Sequence, residues 1–403
     1  MRSRQPAVAA TLSAVDHVYL DYNATTPLDP GILAALQEVQ AAVFANPSSP
    51  HALGRRARCL LDDCRERVAA AWRAKPSEVA FTGSATESNN QAILGTARAR
   101  RDRGRHLISS QVEHPSVLAP LAYLQQHEGF EVTLLPVDHQ GRIAPSDLRQ
   151  ALRADTTLVS LQAANNEIGT LQPVDELGAL CRERGVLFHV DAVQWFGKMR
   201  WSSIADFNAD LVSCCAHKLH GPKGAGALYV RSPFRPHSLL HGGSQEEDRR
   251  AGTENLPAIL GLTLAMEQFL SPPVFASESI MQGTRAIREF LVAVEGVVLM
   301  VEESLCLPNT VAVAVAGCDS LSLLAGLDLE GFCASSGSAC SSGALQSSRV
   351  VRALGYSEDL AGSLVRLSLG RETSGEAIER LLRCLLPVIK RVQGARQPAV
   401  AGE

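Results

Sequence analysis

At 403 residues the chain is long for one hydrophobic core, so two domains are expected, and its 46% hydrophobic and 20% charged content is that of an ordinary globular protein. With 38 basic against 42 acidic residues the formal charge is −4, so no broad basic face is implied and neither nucleic acid nor an anionic membrane is an expected partner. No stretch approaches the ~18 consecutive apolar residues of a membrane-crossing helix, and the chain reads as soluble.

The ten cysteines include no C-x-x-C pair, so no intrinsic metal site is expected, and free thiols fit a reducing cytoplasm. Residues 1–16 hold Arg2 and Arg4 and no acid before Asp16; they read as a flexible tail rather than a targeting segment. The first helix is signposted by Asp29 as N-cap and Pro30 at the first helical position, then Ile32, Leu33, Leu36 and Val39 at helical spacing.

From residue 78 short apolar runs alternate with helix-length segments. Strand character falls on Glu78–Phe81, Arg105–Ser109, Glu131–Pro136, Thr157–Gln162, Val186–Val190, Asp210–Ser213 and Ala227–Val230. Helices are predicted between several of them, at Ser84–Arg101, Ser116–Glu128 and Val174–Arg184. This alternation predicts an α/β fold with a mainly parallel seven-stranded sheet covered on both faces. After Gly261 the texture becomes α+β: a helical stretch to about 294, apolar runs at Gly296–Val301 and Thr310–Val315, and helices near Ser348–Leu354 and Ser374–Val392. The expected organisation is a large domain over 17–265, its first residues packing on the other domain, and a smaller one over 266–403. Ser271-Pro272-Pro273 is the expected joint.

In open parallel sheets ligands bind at the carboxyl ends of the strands, so the residues just past each strand carry the chemistry. Thr82-Gly83-Ser84-Ala85-Thr86-Glu87 opens a helix with small residues, which makes either an ordinary cap or a phosphate seat on free backbone amides. His114 lies beyond the next strand; a loop histidine is either a solvated residue or a group at the same rim. Asp191 closes an apolar strand, as a cap or as a carboxylate awaiting a cation such as a protonated pyridine nitrogen. Past the next strand come Lys218 and, after His220-Gly221-Pro222, Lys223; either lysine could form a Schiff base.

Longer motifs then identify the family. They include Asp21-Tyr22-Asn23-Ala24-Thr25-Thr26-Pro27, Asn46-Pro47-Ser48-Ser49, Ala85-Thr86-Glu87-Ser88-Asn89-Asn90, Asn165-Asn166-Glu167-Ile168-Gly169 and Asp191 with Gln194. His217-Lys218, Arg250-Ala251-Gly252-Thr253-Glu254-Asn255, Ser335–Ser342 and Arg366-Leu367-Ser368-Leu369-Gly370-Arg371 extend the match. Running from about 18 to 390, they resemble the cysteine desulfurases, in the class V aminotransferase branch of fold-type I pyridoxal-phosphate enzymes. The longer cysteine-bearing loop is similar to the type serving nitrogenase maturation and housekeeping iron–sulfur assembly.

The resemblance implies that Lys218 holds pyridoxal 5'-phosphate, Asp191 pairs with the ring nitrogen, Gln194 bonds the ring hydroxyl and His114 stacks on the ring as a candidate acid or base. Ala85, Thr86 and His217 would hold the phosphate, with Cys215 beside them where the family usually has serine. Thr253 would reach the phosphate of a neighbouring subunit, which implies a homodimer. Asn166, which also borders the cofactor, and Arg366 would orient the L-cysteine substrate. Cys340 would attack the substrate sulfur, release L-alanine and pass the persulfide to an iron–sulfur scaffold or another acceptor; it could also transiently ligate a nascent cluster. The residues themselves favour Cys340, because Ser335–Gly343 holds only Ser, Gly, Ala and Cys, a setting with no bulky anchor. A selenocysteine lyase or another class V aminotransferase is the alternative activity. A second departure is Gly83-Ser84, where the family's order is Ser-Gly; a phosphate seat then requires that Ser84 avoid glycine-only backbone angles.

Overall fold

The computed structural model describes residues 17–337 and 347–396; Cys340 and the tail at 1–16 lie outside the described residues. A short strand β1 (Val18–Tyr19) precedes helices α1 (Pro30–Ala42) and α2 (Ala52–Trp72). Asp29 caps α1, its Oδ1 accepting from the amides of Gly31 and Ile32. Next come β2 (Val79–Thr82), α3 (Ala85–Ala99), β3 (His106–Ser110), α4 (Pro115–His127), β4 (Glu131–Leu135), α5 (Pro145–Ala151), β5 (Thr156–Gln162), α6 (Val174–Glu183), β6 (Leu187–Asp191), β7 (Leu211–Cys215) and β8 (Gly226–Val230). Each of these sheet strands lies within about two residues of its predicted span, the usual uncertainty of element ends.

The seven strands form one sheet in the order β2-β8-β7-β6-β5-β3-β4, all parallel except β8. The exception has a geometric cause: the link from Cys215 to Gly226 holds no helix long enough for a parallel crossover. Alternation along the strands buries both faces. Leu107 and Leu158 pack with α3 and α4, whereas their neighbours Ile108 and Val159 join the core under α6.

The chain continues through α7 (Leu256–Phe269), α8 (Glu278–Val292), β9 (Val297–Leu299), β10 (Thr310–Val315), α9 (Ser320–Leu329), β11 (Phe332–Cys333), α10 (Arg349–Ala353), α11 (Glu358–Ala361), β12 (Val365–Ser368) and α12 (Gly375–Arg396). Strands β12, β10 and β9 make an antiparallel sheet, and β1 pairs with β11. The core around the large sheet includes Leu270, and a second core includes Phe275, with Val274 packed against both. Leu20 and Tyr22 belong to the second core. The apolar segment Leu256–Val292 is long enough to cross a membrane, a feature the count of consecutive apolar residues does not register. It is a core element here: 67% of its most apolar window is buried, and α7 lies against α1 and α2.

One buried histidine gives the fold an acid sensitivity. His189, on β6, bonds Ser160 on β5 through Nδ1 (2.8 Å) and Ser213 on β7 through Nε2 (2.9 Å). Burial pushes its pKa down to about 3. The unfolded chain therefore takes up a proton near pH 6.5 that the folded chain refuses, so stability present at neutral pH is lost as pH falls. The expected loss is up to about 1.4 kcal/mol per pH unit between pH 6 and 4. Denaturant midpoints measured across that window should show a slope that His189→Gln flattens by this amount; an unchanged slope would assign the sensitivity elsewhere.

Candidate active site

The carboxyl ends of β2, β3, β5, β6 and β7 open onto one cavity of about 240 Å³. Its floor is closed by Asn23 and Ala24 from the segment after β1, and its roof by Gly337 and by Arg366 of β12.

At the β2 end Ser84 is the N-cap of α3, its Oγ accepting from the Glu87 amide, while Glu87 Oε2 accepts from the Gly83 amide (2.8 Å). Ser84 has φ −171° and ψ 166°, extended geometry open to any residue, so the Gly-Ser order costs the turn nothing. Cap and anion seat coexist here. The cap uses Glu87, and the amides of Ala85 and Thr86 meet no acceptor among the described residues. Such amides at the positive end of a helix suit a phosphate. His217 borders the same cavity; burial first, then the charges of Lys218 and Lys223, lower its pKa to about 4, leaving it neutral at physiological pH.

Asp191 sits at the end of β6 with its Oδ2 accepting from Asn89 Nδ2 (2.7 Å) and its Oδ1 from the Val193 amide (3.1 Å). Asn89 also donates to Ser116 Oγ (2.9 Å), which lies 2.7 Å from His114 Nδ1. That same Nδ1 accepts from the Ser116 amide (3.1 Å), so a neutral His114 carries its proton on Nε2. Burial, with Lys218 and Arg349 adding to it, holds the His114 pKa below its ordinary value against the pull of Asp191. Asn89 and Ser116 thus join the carboxylate to the imidazole. Sequence reasoning gave neither of them a role; the signal was Asn89's place one helical turn after Ala85, on the same face of α3. Beside His114, burial raises the Glu113 carboxyl to about 8, a neutral acid bonded by Ser110 Oγ (2.6 Å).

Lys218 lies just past β7, its Nζ donating to the carbonyls of Asn23 and Ala24 (2.6 Å each). It lines the cavity, whereas Lys223 is exposed on the turn toward β8. Cys215 forms part of the wall, and burial raises its thiol to about 11, so it stays neutral. Gln194 donates from Nε2 to the Asn23 carbonyl (2.9 Å). Arg366 is 2% exposed; its Nη1 donates to the Asn166 carbonyl (2.5 Å) and its Nη2 pairs with Asp21. Its fork is therefore already half engaged. Two buried polar atoms of lining residues, Arg366 Nε and Asn89 Oδ1, find no hydrogen-bond partner among the described residues. An orphan of this kind costs about 1–3 kcal/mol unless a ligand satisfies it, which marks the cavity as built for a polar guest.

The class-V aminotransferase family model matches residues 18–381. The chain belongs to the class-V aminotransferase family. It is 42% identical over 377 residues to the cysteine desulfurase IscS of Dictyoglomus turgidum, covering 93% of this chain and 95% of that one. The human cysteine desulfurase is 38% identical over 403 residues, 97% of this chain and 87% of that one. A solved NifS-like protein superposes with a TM-score of 0.86 at 32% identity, over 93% of this chain and all of that one. A solved SspA in complex with cysteine gives 0.78 at 35% identity, over 87% and 98%.

Of the residues singled out in the sequence, Ala85, Thr86, His114, Asn166, Asp191, Gln194, Cys215, His217, Lys218 and Arg366 all line this cavity. Thr253 does not; it is exposed. The Arg250–Glu87 ion pair (2.8 Å) ties its segment to the first turn of α3. Cys340 lies outside the described residues, and Gly337, which lines the cavity, is the last described residue before it.

Proposed function

We propose that the protein is a pyridoxal-phosphate-dependent cysteine desulfurase that converts L-cysteine to L-alanine and delivers the sulfur, through a persulfide on Cys340, to an iron–sulfur scaffold or another acceptor. The observation that carries this reading is the meeting of Lys218, Asp191, Gln194, His114 and Arg366 around one cavity, beside a helix N-terminus with unused amides. Relatives named for this activity and a solved relative holding cysteine support the substrate.

The donor set suits the cofactor: the Ala85 and Thr86 amides with neutral His217 for a phosphate, the Asp191 carboxylate for a protonated ring nitrogen, and the Lys218 amine for the aldehyde carbon. When bound, pyridoxal phosphate supplies an electron sink for charge developing at the substrate Cα. Asp191 keeps the ring nitrogen protonated, with Asn89 holding its Oδ2 in place. Lys218 moves the proton at the substrate Cα. Arg366 and Asn166 orient the substrate carboxylate, the orphaned Nε of Arg366 being one donor to it. His114 gives its Nε2 proton at the substrate sulfur, and can take a proton there only once that nitrogen is bare. Cys340, as thiolate, forms a bond to that sulfur as the Cβ–S bond breaks, the electron pair of that bond staying with Cβ, which is protonated on the way to alanine.

Purified protein given L-cysteine should form alanine and gain the mass of one sulfur atom on the Cys340 peptide; sulfur release without that added mass would redirect the reading to a lyase. Thr253, exposed in its own chain, completes the phosphate seat of a second copy in this reading. Sedimentation should accordingly give a dimer, and a fully active species at 43.0 kDa would remove Thr253 from the site.

A further inference from the structure

Lys198 is a fully buried lysine outside the cavity wall, in the turn just past Gln194. Its Nζ donates to Asn23 Oδ1 (2.6 Å) and to Gln194 Oε1, and it stands 5.6 Å from the centre of the Phe275 ring. Two acceptors match the two N–H bonds of a neutral amine. Burial, reinforced by the charges of Lys218 and Arg366, drives its pKa well below the ordinary lysine value, in keeping with that form. The Gln194 amide is thereby held from both ends. Lys198 occupies its oxygen and the Asn23 carbonyl takes one hydrogen of its nitrogen, so the second Nε2 hydrogen is left for the cavity that Gln194 lines. With the amide turned over, Oε1 would oppose the Asn23 carbonyl, and one of the two Lys198 N–H bonds would lose its acceptor.

We propose that Lys198 is a positioning residue that fixes the polarity of the Gln194 amide, so that the cavity presents a hydrogen-bond donor, never an acceptor, to the ring oxygen of the bound cofactor. Asn23 ties this arrangement to the catalytic lysine, because its carbonyl accepts from both Gln194 and Lys218 while its side-chain oxygen accepts from Lys198. This inference rests on the proposed cofactor chemistry and adds a residue that does not touch the cofactor.

The test compares Lys198→Met, Gln194→Leu and the double variant, each loaded with pyridoxal phosphate and followed through its visible absorption band. A donor to the anionic ring oxygen favours loss of the proton shared between that oxygen and the lysine-linked nitrogen. Removing the donor should therefore raise the pH midpoint of the band by about one unit. Lys198→Met should reproduce the Gln194→Leu shift and weaken cofactor affinity roughly tenfold, and the double variant should add nothing further. A residue that merely supports the fold would lower the melting temperature and leave the midpoint where it was. Lys198→Gln, which keeps two N–H donors without an ionisable amine, should hold the wild-type midpoint; it also serves if the methionine variant does not fold. An unmoved midpoint in Lys198→Met, or a Lys198→Gln midpoint displaced as far as that of Gln194→Leu, would overturn the inference. Absence of any visible band in the wild-type protein would instead sink the cofactor reading beneath it.

Discussion

Cys340→Ala should abolish alanine formation from L-cysteine while leaving pyridoxal phosphate bound and responsive to the substrate. Labour at this site is divided. Lys218, Asp191 and Gln194 line the cavity, and in the proposed function they hold and tune the cofactor, for which none of them needs a thiol. Cys340, in the same proposal, acts only on the bond from Cβ to sulfur. The described cysteines offer no substitute on the wall, since Cys215 is a buried thiol raised to about 11 and has almost no thiolate at neutral pH. In the variant, added L-cysteine should change the visible spectrum and the reaction should then stop, with turnover down by at least about 10³-fold, the scale of losing an essential nucleophile. Selenocysteine should still react, because selenide departs without a thiol to receive it. Alanine formed from cysteine at the wild-type rate would remove the persulfide from the mechanism.

Lys218→Ala should have the second largest effect, and on a different observable. Borohydride reduction of the wild-type protein should fix the cofactor to the Lys218 peptide; the variant should retain little cofactor and no covalent adduct. Loss of proton transfer at Cα alone is expected to cost about 10²–10⁴-fold in turnover. Lys223→Ala is the matched control, an exposed lysine on the same turn that should leave both observables unchanged. An adduct on Lys223, with Lys218 unmodified, would reassign the anchor and with it the roles drawn around the cavity.

The sheet was legible because β-branched and apolar runs bounded by small residues recur with helices between them, a pattern local enough to read from the chain. The strand-end residues were legible for the same reason: once the strands were placed, Asp191, His114 and Lys218 had to fall on one edge. Helix α2 escaped notice because ALGRRARCLLDDCRERVAAAW is rich in charge and its buried positions are spread among Arg and Asp. The antiparallel run of β8 depends on the length of one connection rather than on residue type. Asn89, Ser116 and Lys198 were invisible for a third reason. Each also bonds a residue of another element, 102 residues away for Asn89 and Asp191, 175 for Lys198 and Asn23 and 27 for Ser116 and Asn89, and composition carries no trace of such a pairing. Asp21 is similar: its carboxylate meets Arg366 across 345 positions.

The parallel pairing of β1 with β11 has a consequence for how the enzyme comes into being on the ribosome. Val18 and Tyr19 lie in register with Phe332 and Cys333, and Leu20 hands its carbonyl to the Ser368 amide. Strand β1 can therefore find its place only after some three hundred further residues have been translated. Until then Asn23 has its partners Gln194, Lys198 and Lys218 but not Ser368, Thr310 and Asn309, which also bond it. The large sheet and the helix N-terminus at Ser84 can form earlier, because domains commonly fold in the order they are synthesised. A nascent chain is thus able to assemble the strand-end side of the cavity before Arg366, which lines it from β12, has been made. The cavity is therefore complete only when the segment after β1 meets β11 and β12, far along the chain.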